Sequence, residues 1–222
     1  MGAIEVSVAR TKDGKFFGLH DKTLDRTSLV SGGIDPTTLT WAELTSKYQN
    51  KLNASSPQGE PYTLVSEVFE EFASNHVIFV DPKYIGDAAR RDELIELMLS
   101  FAPAEHWVLK GYYDNATLAS AAQDAEIQSW GYYYARDLEK LATTATNWDM
   151  LGLELNATAA QWSMVKAQGK PVIAFFITDA ATLAQAKAKG ANGMMVSDVL
   201  ASLRAPRTGG PDSGQAVPAG AN

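Results

Sequence analysis

The 222 residues are 45% hydrophobic and 20% charged, the balance of an ordinary globular chain forming one domain or two small ones. No cysteine is present, which excludes disulfide scaffolds, thiolate metal sites and cysteine nucleophiles. Nineteen Lys plus Arg against 26 Asp plus Glu leave a net charge of −7, which argues against a surface built to grip nucleic acid or anionic lipid; no run of about 18 apolar residues exists to span a membrane.

Taken in chain order, the pattern predicts strands at Ala3 to Ala9 and Phe16 to His20, then a long connection over residues 22 to 61 rich in Thr, Ser, Gly and Pro, with one short helix from Trp41 to Tyr48. A connection of that length in a compact domain is expected to be a functional cap or a mobile insertion. Next come a helix with Leu64, Val65, Val68, Phe69 and Phe72 on one stripe, a strand at Val77 to Asp81, and a helix presenting Leu94, Leu97, Met98 and Phe101. Strands at Trp107 to Tyr113, Ile127 to Tyr134, Met150 to Leu155, Val172 to Thr178 and Met194 to Ser197 alternate with helices at Thr117 to Glu126, Asp137 to Thr144, Thr158 to Gln168 and Ala181 to Lys189. Runs such as "HVIFVD" and "PVIAFFIT" are nearly continuously apolar, as parallel strands buried on both faces are. The repeated βα unit predicts an α/β fold, either a (β/α) barrel or an open doubly wound sheet. From Ala205 to Asn222, four glycines, three prolines and Val217 as the one large apolar side chain predict a disordered tail behind a single domain ending at residue 204.

In parallel α/β folds the chemistry gathers at the carboxyl ends of the strands. Glu5 and Ser7, two apart, share one face of the first strand, and Asp81 and Lys83 close "IFVDPK". Lys110 and Tyr112, Tyr132 and Tyr134, Glu154, Thr178 and Asp179, and Asp198 hold similar places on later strands. Carboxylates converging from separate strands suit a hard cation such as Mg²⁺ or Ca²⁺; the other reading pairs Glu5 and Asp81 with a neighbouring lysine inside the barrel mouth. Lys83 and Lys110 are read as phosphate ligands, as counter-charges to those carboxylates, or as a Schiff-base lysine. His20, followed at once by Asp21, is the candidate general acid or base, with a structural role as the alternative. His76 and His106 begin their strands and fall at the opposite end.

"AIEVSVARTKDGKFFGLHDKTLDRTS" resembles the segment of the glycerophosphodiester phosphodiesterase family that carries a metal-ligand strand, a "TKDG" hairpin and an "HDxTLDRTT" signature. "LTWAEL", "EPYTLVSEVFEEF", "IFVDPKY" and "GANGMMVSD" look like later family segments, with order and spacing kept from residue 3 to about 203. The resemblance implies a TIM-type (β/α)₈ barrel with an insertion loop, hydrolysing glycerophosphodiesters to glycerol phosphate and an alcohol with a divalent metal, Mg²⁺ or Ca²⁺. It assigns Glu5, Ser7 and Asp81 to the metal and His20, Asp21 and Lys83 to catalysis. Phe175 falls where the family has a tryptophan near the glycerol, and Lys110, Tyr112 and Glu154 are expected to line the substrate with it.

Ser7 replaces the family's second carboxylate and Asp81 shortens its third, so the ion should bind more weakly. The family pattern opens with an "HRG" strand and an "ENT" helix, and this sequence begins after both. The expectation is therefore a barrel with its first strand and helix missing, no first catalytic histidine, weakened activity, and open edges that favour a homodimer. Expected partners are a small glycerophosphodiester, no nucleic acid and no integral membrane association. A noncatalytic module that binds glycerol phosphate polymers or phospholipid head groups is the second reading.

Overall fold

The computed structural model describes residues 2–30, 32–51, 57–199 and 202. The tail expected from Ala205 to Asn222 lies outside the described residues. Strand β1 (Ala3–Arg10) turns back through the "TKDG" hairpin into the short antiparallel β2 (Phe16–Gly18). The insertion that follows carries helix α1 (Trp41–Lys47) and a two-stranded ribbon of β3 (Asn50–Lys51) and β4 (Gly59–Glu60). Helix α2 (Val65–Phe72) then leads to β5 (Val77–Asp81), α3 (Ala88–Phe101) to β6 (Trp107–Tyr112), and α4 (Ala116–Asp124) to β7 (Gln128–Tyr133). A 3₁₀ segment (Ala135–Lys140) and one α-turn, α5 (Leu141–Thr144), precede β8 (Met150–Glu154), followed by α6 (Ala159–Lys166), β9 (Val172–Ile177), α7 (Ala180–Ala188) and β10 (Gly193–Val196).

The sheet order is β10-β9-β8-β7-β6-β5-β1-β2, and every pairing except β1 with β2 is parallel. A doubly wound sheet reverses its strand order at a switch point. Here the parallel strands follow one another without reversal, so the sheet curls in one direction as a TIM-type barrel does. Among the described residues β10 and β1 do not pair, and the curl remains open on that side.

Alternate side chains of each strand serve two cores. Ile78, Val80, Trp107, Leu109, Tyr133, Leu151, Leu153, Val172 and Ala174 face the helices, where Phe69, Leu94, Met98 and Trp148 meet them. Their neighbours Val108, Trp130, Ile173 and Phe175 point into the curl, with Phe79 and Tyr132 packed alongside. That period of two places Lys110, Tyr132 and Phe175 on the inner face. The insertion has a small core of its own, built from Phe17, Leu24, Leu44 and Tyr62, so it is an ordered cap seated against β2.

Local chemistry fixes the helix starts. Thr40 with Glu43 and Thr158 with Gln161 form capping boxes, while Asp87 and Asn115 cap α3 and α4. Asp179, which lies at a strand end, is spent capping α7 through Thr182. Two elements differ from the sequence pattern. The helix expected over Asp137 to Thr144 is 3₁₀ in its first half, because Glu154 accepts the Ala135 N–H and Gln161 donates to the Ala135 carbonyl, drawing the first turn away from an α ladder. The strand expected to reach His20 stops at Gly18, whose N–H turns aside to the Thr63 carbonyl.

Candidate active site

Strand β1 supplies Glu5 and Ser7, β5 supplies Asp81, β6 supplies Lys110, and the loops just beyond β2 and β5 supply His20, Asp21 and Lys83. Register aligns Ser7 with Asp81 on adjacent strands, and these side chains meet at one rim as an alternating chain of charges. Lys110 Nζ donates to Glu5 Oε1 at 3.0 Å and lies 3.0 Å from Asp81 Oδ2. Asp81 Oδ2 is in turn 3.8 Å from Lys83 Nζ, which is 2.6 Å from His20 Nε2. His20 Nδ1 lies 2.7 Å from Asp21 Oδ1, and Arg26 grips Asp21 with Nε at 2.6 Å and Nη2 at 2.8 Å. Ser7 Oγ donates to Glu5 Oε1 at 3.3 Å.

A nitrogen–nitrogen separation of 2.6 Å between Lys83 and His20 requires one proton, and only one, between the two atoms. Asp21 can only accept, so His20 Nδ1 carries a hydrogen in either arrangement. The Arg26 guanidinium and the imidazole hold the Asp21 carboxyl down at about 2, against the opposing pull of burial. Burial lowers the Lys83 ammonium below the ordinary lysine value, with Asp81 opposing and Lys110 adding to it. Burial also works against the charge of Lys110, but Asp81 and Glu5 outweigh it and hold Lys110 above the ordinary value. His20 remains half exposed while Lys110 and Asp81 are almost wholly enclosed: the imidazole faces incoming substrate and the ammonium is built into the floor.

The remaining sequence candidates stand apart from this chain of charges. Tyr112 donates its hydroxyl to Asp137 at 2.5 Å, and burial together with that carboxylate raises it to about 12. Glu154 is engaged by the Ala135 N–H at 2.6 Å. Phe175 is buried against the rings of Tyr132 and Tyr134. His76 packs on Phe72, and His106 hydrogen-bonds the Ala73 carbonyl, both at the far end of the sheet. Two contributors were not singled out from sequence. Arg26 lies inside the "HDKTLDRTS" segment, five residues beyond Asp21, where the adjacent Lys22 is the nearer cation in sequence; Trp130, whose ring lies 5.3 Å from Lys110 Nζ, is hidden by its apolar type.

Beside Asp21 and Lys83 opens a cleft of about 450 Å³, lined also by Arg10, Lys22, Tyr84 and Arg90. Of the rim residues Asp21 and Lys83 line this cleft, which flanks the site, while a larger groove of about 580 Å³ between α3 and α4 lies away from these charges.

Residues 1–200 match the model of the glycerophosphoryl diester phosphodiesterase family. The chain belongs to that family. No curated protein matches the chain significantly. Its fold is shared with solved family structures at low identity. One from Agrobacterium tumefaciens str. C58, assigned as a glycerophosphoryl diester phosphodiesterase, is 16% identical with a TM-score of 0.71, over 87% of this chain and 81% of that one. Another so assigned, from Silicibacter pomeroyi DSS-3, is 14% identical with a TM-score of 0.71, over 89% and 80%. A phosphodiesterase of Oleispira antarctica, solved with the product sn-glycerol-3-phosphate, is 20% identical with a TM-score of 0.67, over 88% and 81%. Within this glycerophosphoryl diester phosphodiesterase fold, the charged rim occupies the carboxyl ends of the strands, where barrel enzymes place their chemistry.

The oxygens of Glu5, Asp81 and Ser7 are of the hard type that Mg²⁺ and Ca²⁺ take. Their number and charge do not fit. Among the described residues no group of three or more acidic or histidine side chains is arranged to hold a metal, and the Lys110 ammonium already stands between the two carboxylates.

Proposed function

We propose that this chain hydrolyses glycerophosphodiesters, releasing glycerol 3-phosphate and an alcohol. The observation that carries the reading is the His20–Lys83–Asp81 alignment at the strand ends of a chain matched to this family along residues 1–200. The phosphoryl group sits against Lys83, with the Lys110 charge in the floor beneath it; together they balance charge growing on its nonbridging oxygens as water adds to phosphorus and releases its proton to solvent. The bond from phosphorus to the alcohol oxygen then breaks, and His20 Nε2 passes to the departing oxygen the one proton it shares with Lys83 Nζ, while Asp21 steadies the imidazole. Lys83, hydrogen-bonded to the same nitrogen, resupplies that proton. The catalytic set is therefore His20, Asp21 and Lys83. Glu5, Asp81 and Ser7, the residues a divalent ion would engage, here position the lysines.

Among the described residues no second imidazole faces this rim to take the proton of the attacking water, so turnover is expected to be slow. The test is glycerol 3-phosphate release from glycerophosphocholine. His20→Ala should lower turnover by about 10²-fold or more while leaving the melting temperature near the parent's, since the ring is half exposed. Equal rates in parent and variant dismiss the assignment. Calorimetric binding of glycerol 3-phosphate without any turnover selects the noncatalytic module instead.

A further inference from the structure

The geometry points to Lys110 as the resident cation of this site: its ammonium takes the place between Glu5 and Asp81 that a divalent ion would need, and the phosphodiester chemistry proceeds without a metal. This inference rests on the hydrolytic reading for its chemistry, but its central claim concerns which cation the two carboxylates hold.

Three observations carry it. Lys110 Nζ, on β6, is within 3.0 Å of one oxygen from each carboxylate, Asp81 on the adjacent β5 and Glu5 on β1 beyond it. Its remaining side is walled by aromatic rings from β7, with Trp130 at 5.3 Å and Tyr132 at 5.5 Å from Nζ. Those faces favour a monocation and offer no oxygen lone pair to a metal except the Tyr132 hydroxyl at the ring's far end. The charges also close without an added ion, since Glu5 and Asp81 are matched by Lys110 and Lys83. Mg²⁺ asks for near-octahedral oxygen at about 2.1 Å and Ca²⁺ for six to eight oxygens. Two carboxylates and the Ser7 hydroxyl, with an ammonium lodged among them, supply neither.

The lysine gives part of what a divalent ion would. It places one fixed positive charge at the floor of the site, largely offset by Glu5 and Asp81, and it holds those two carboxylates off the phosphate. A monocation polarises phosphorus less than a divalent ion does, in keeping with the slow turnover expected.

The experiment uses the full chain dialysed against EDTA. Calorimetric and thermal-shift titrations with MgCl₂ and CaCl₂ run beside the glycerophosphocholine assay. The parent is expected to show no stoichiometric heat up to about 1 mM ion, the weak end of calcium sites, and turnover in EDTA within about twofold of that in metal. Lys110→Met, which removes the ammonium but keeps the stem, should expose the carboxylate pair and acquire Ca²⁺ binding by calorimetry. Stoichiometric binding of either ion to the parent overturns the inference, as does Lys110→Met staying as inert to metal as the parent. The parent titration needs no variant to fold. If no condition gives turnover, the hydrolytic reading fails while the calorimetry still decides which cation the carboxylates hold.

Discussion

Gly152 of β8 is the position where one added methyl tests the inner face of the sheet most directly. A Cβ there would lie 2.5 Å from Trp130 Nε1, 2.9 Å from Trp130 Cε2 and 2.8 Å from Tyr132 Cβ. Since ordinary contacts begin near 3.4 Å, the indole must retreat by about 1 Å in a core packed at crystal density. Overpacking of this kind costs about 1–3 kcal/mol, and for a chain of this length each kcal/mol lowers the melting temperature by about 2–4 °C. Gly152→Ala should therefore melt about 2–12 °C below the parent, and because Trp130 walls Lys110, turnover should fall with it. The control is Gly131→Ala, whose Cβ would meet the Trp148 ring at 2.4 Å on the helix-facing side. That variant should lose comparable stability and keep its turnover per folded molecule. Urea and thermal melts with the release assay read both quantities. A Gly152→Ala protein within 0.5 kcal/mol of the parent, about the noise of a surface substitution, refutes the packing argument; equal turnover losses in the two variants refute the link from Trp130 to the site.

Lys83→Met leaves Asp81 sharing Lys110 with Glu5, so stability should fall, but by less than the ~3–5 kcal/mol of a fully broken buried pair, while kcat/KM falls about 10²-fold or more; steady-state kinetics and a melt together check this. Arg26→Ala addresses the acid limb. The Asp21 carboxyl sits at about 2, below its ordinary 3.8, so its stabilisation is fully present above about pH 4 and drains away as pH falls toward 2. Discounted for solvent around a quarter-exposed carboxylate, the pair is worth about 1 kcal/mol; the parent should exceed Arg26→Ala by that much at pH 6, with the gap narrowing by pH 3 in urea melts.

The alternation of β and α is legible because parallel strands covered on both faces read as unbroken apolar runs, and the sequence pattern places seven of them. The periodicity alone does not choose between a barrel and a doubly wound sheet, since that depends on whether strand order reverses; the family resemblance carried by the "HDKTLDRTS" segment does, and it implies the barrel. At the site, Glu5, Asp81, Lys83 and His20 were legible from strand-end position and from motif. Strand-end position alone leaves the partner of the two carboxylates open between a metal and a lysine. What decides it is the walling of Lys110 by Trp130 and Tyr132, residues 20 and 22 positions further along the chain, brought alongside by the parallel register of β6 and β7. Glu154 and Tyr112 show the converse: both stand at strand ends, yet their polar atoms are consumed by the 3₁₀ segment after β7, whose demand for partners cannot be read from spacing.

The charge pattern of the rim bears on ligand preference. Glu5, Asp81 and Asp21 are matched by Lys110, Lys83 and Arg26, so a phosphodiester monoanion gains little on arrival because each ammonium already has a carboxylate. A group carrying a second negative charge draws Lys83 away from Asp81, 3.8 Å off, more strongly than the monoanion does. One extra charge about 4 Å from an ammonium in largely aqueous surroundings is worth about 1–2 kcal/mol, or roughly tenfold in affinity. The same preference acts on the transition state, whose phosphoryl oxygens carry more charge than the substrate's, and this is the differential binding that accelerates a reaction. It also makes the dianionic product a better ligand than the substrate. Glycerol 3-phosphate should inhibit competitively with a Ki about tenfold below the KM for glycerophosphocholine, and the advantage should shrink below about pH 6, where the phosphate monoester takes up its second proton. Inhibition assays at pH 5 and pH 8 measure both effects; a Ki above KM at pH 8 would mean that the lysines do not face the phosphoryl group.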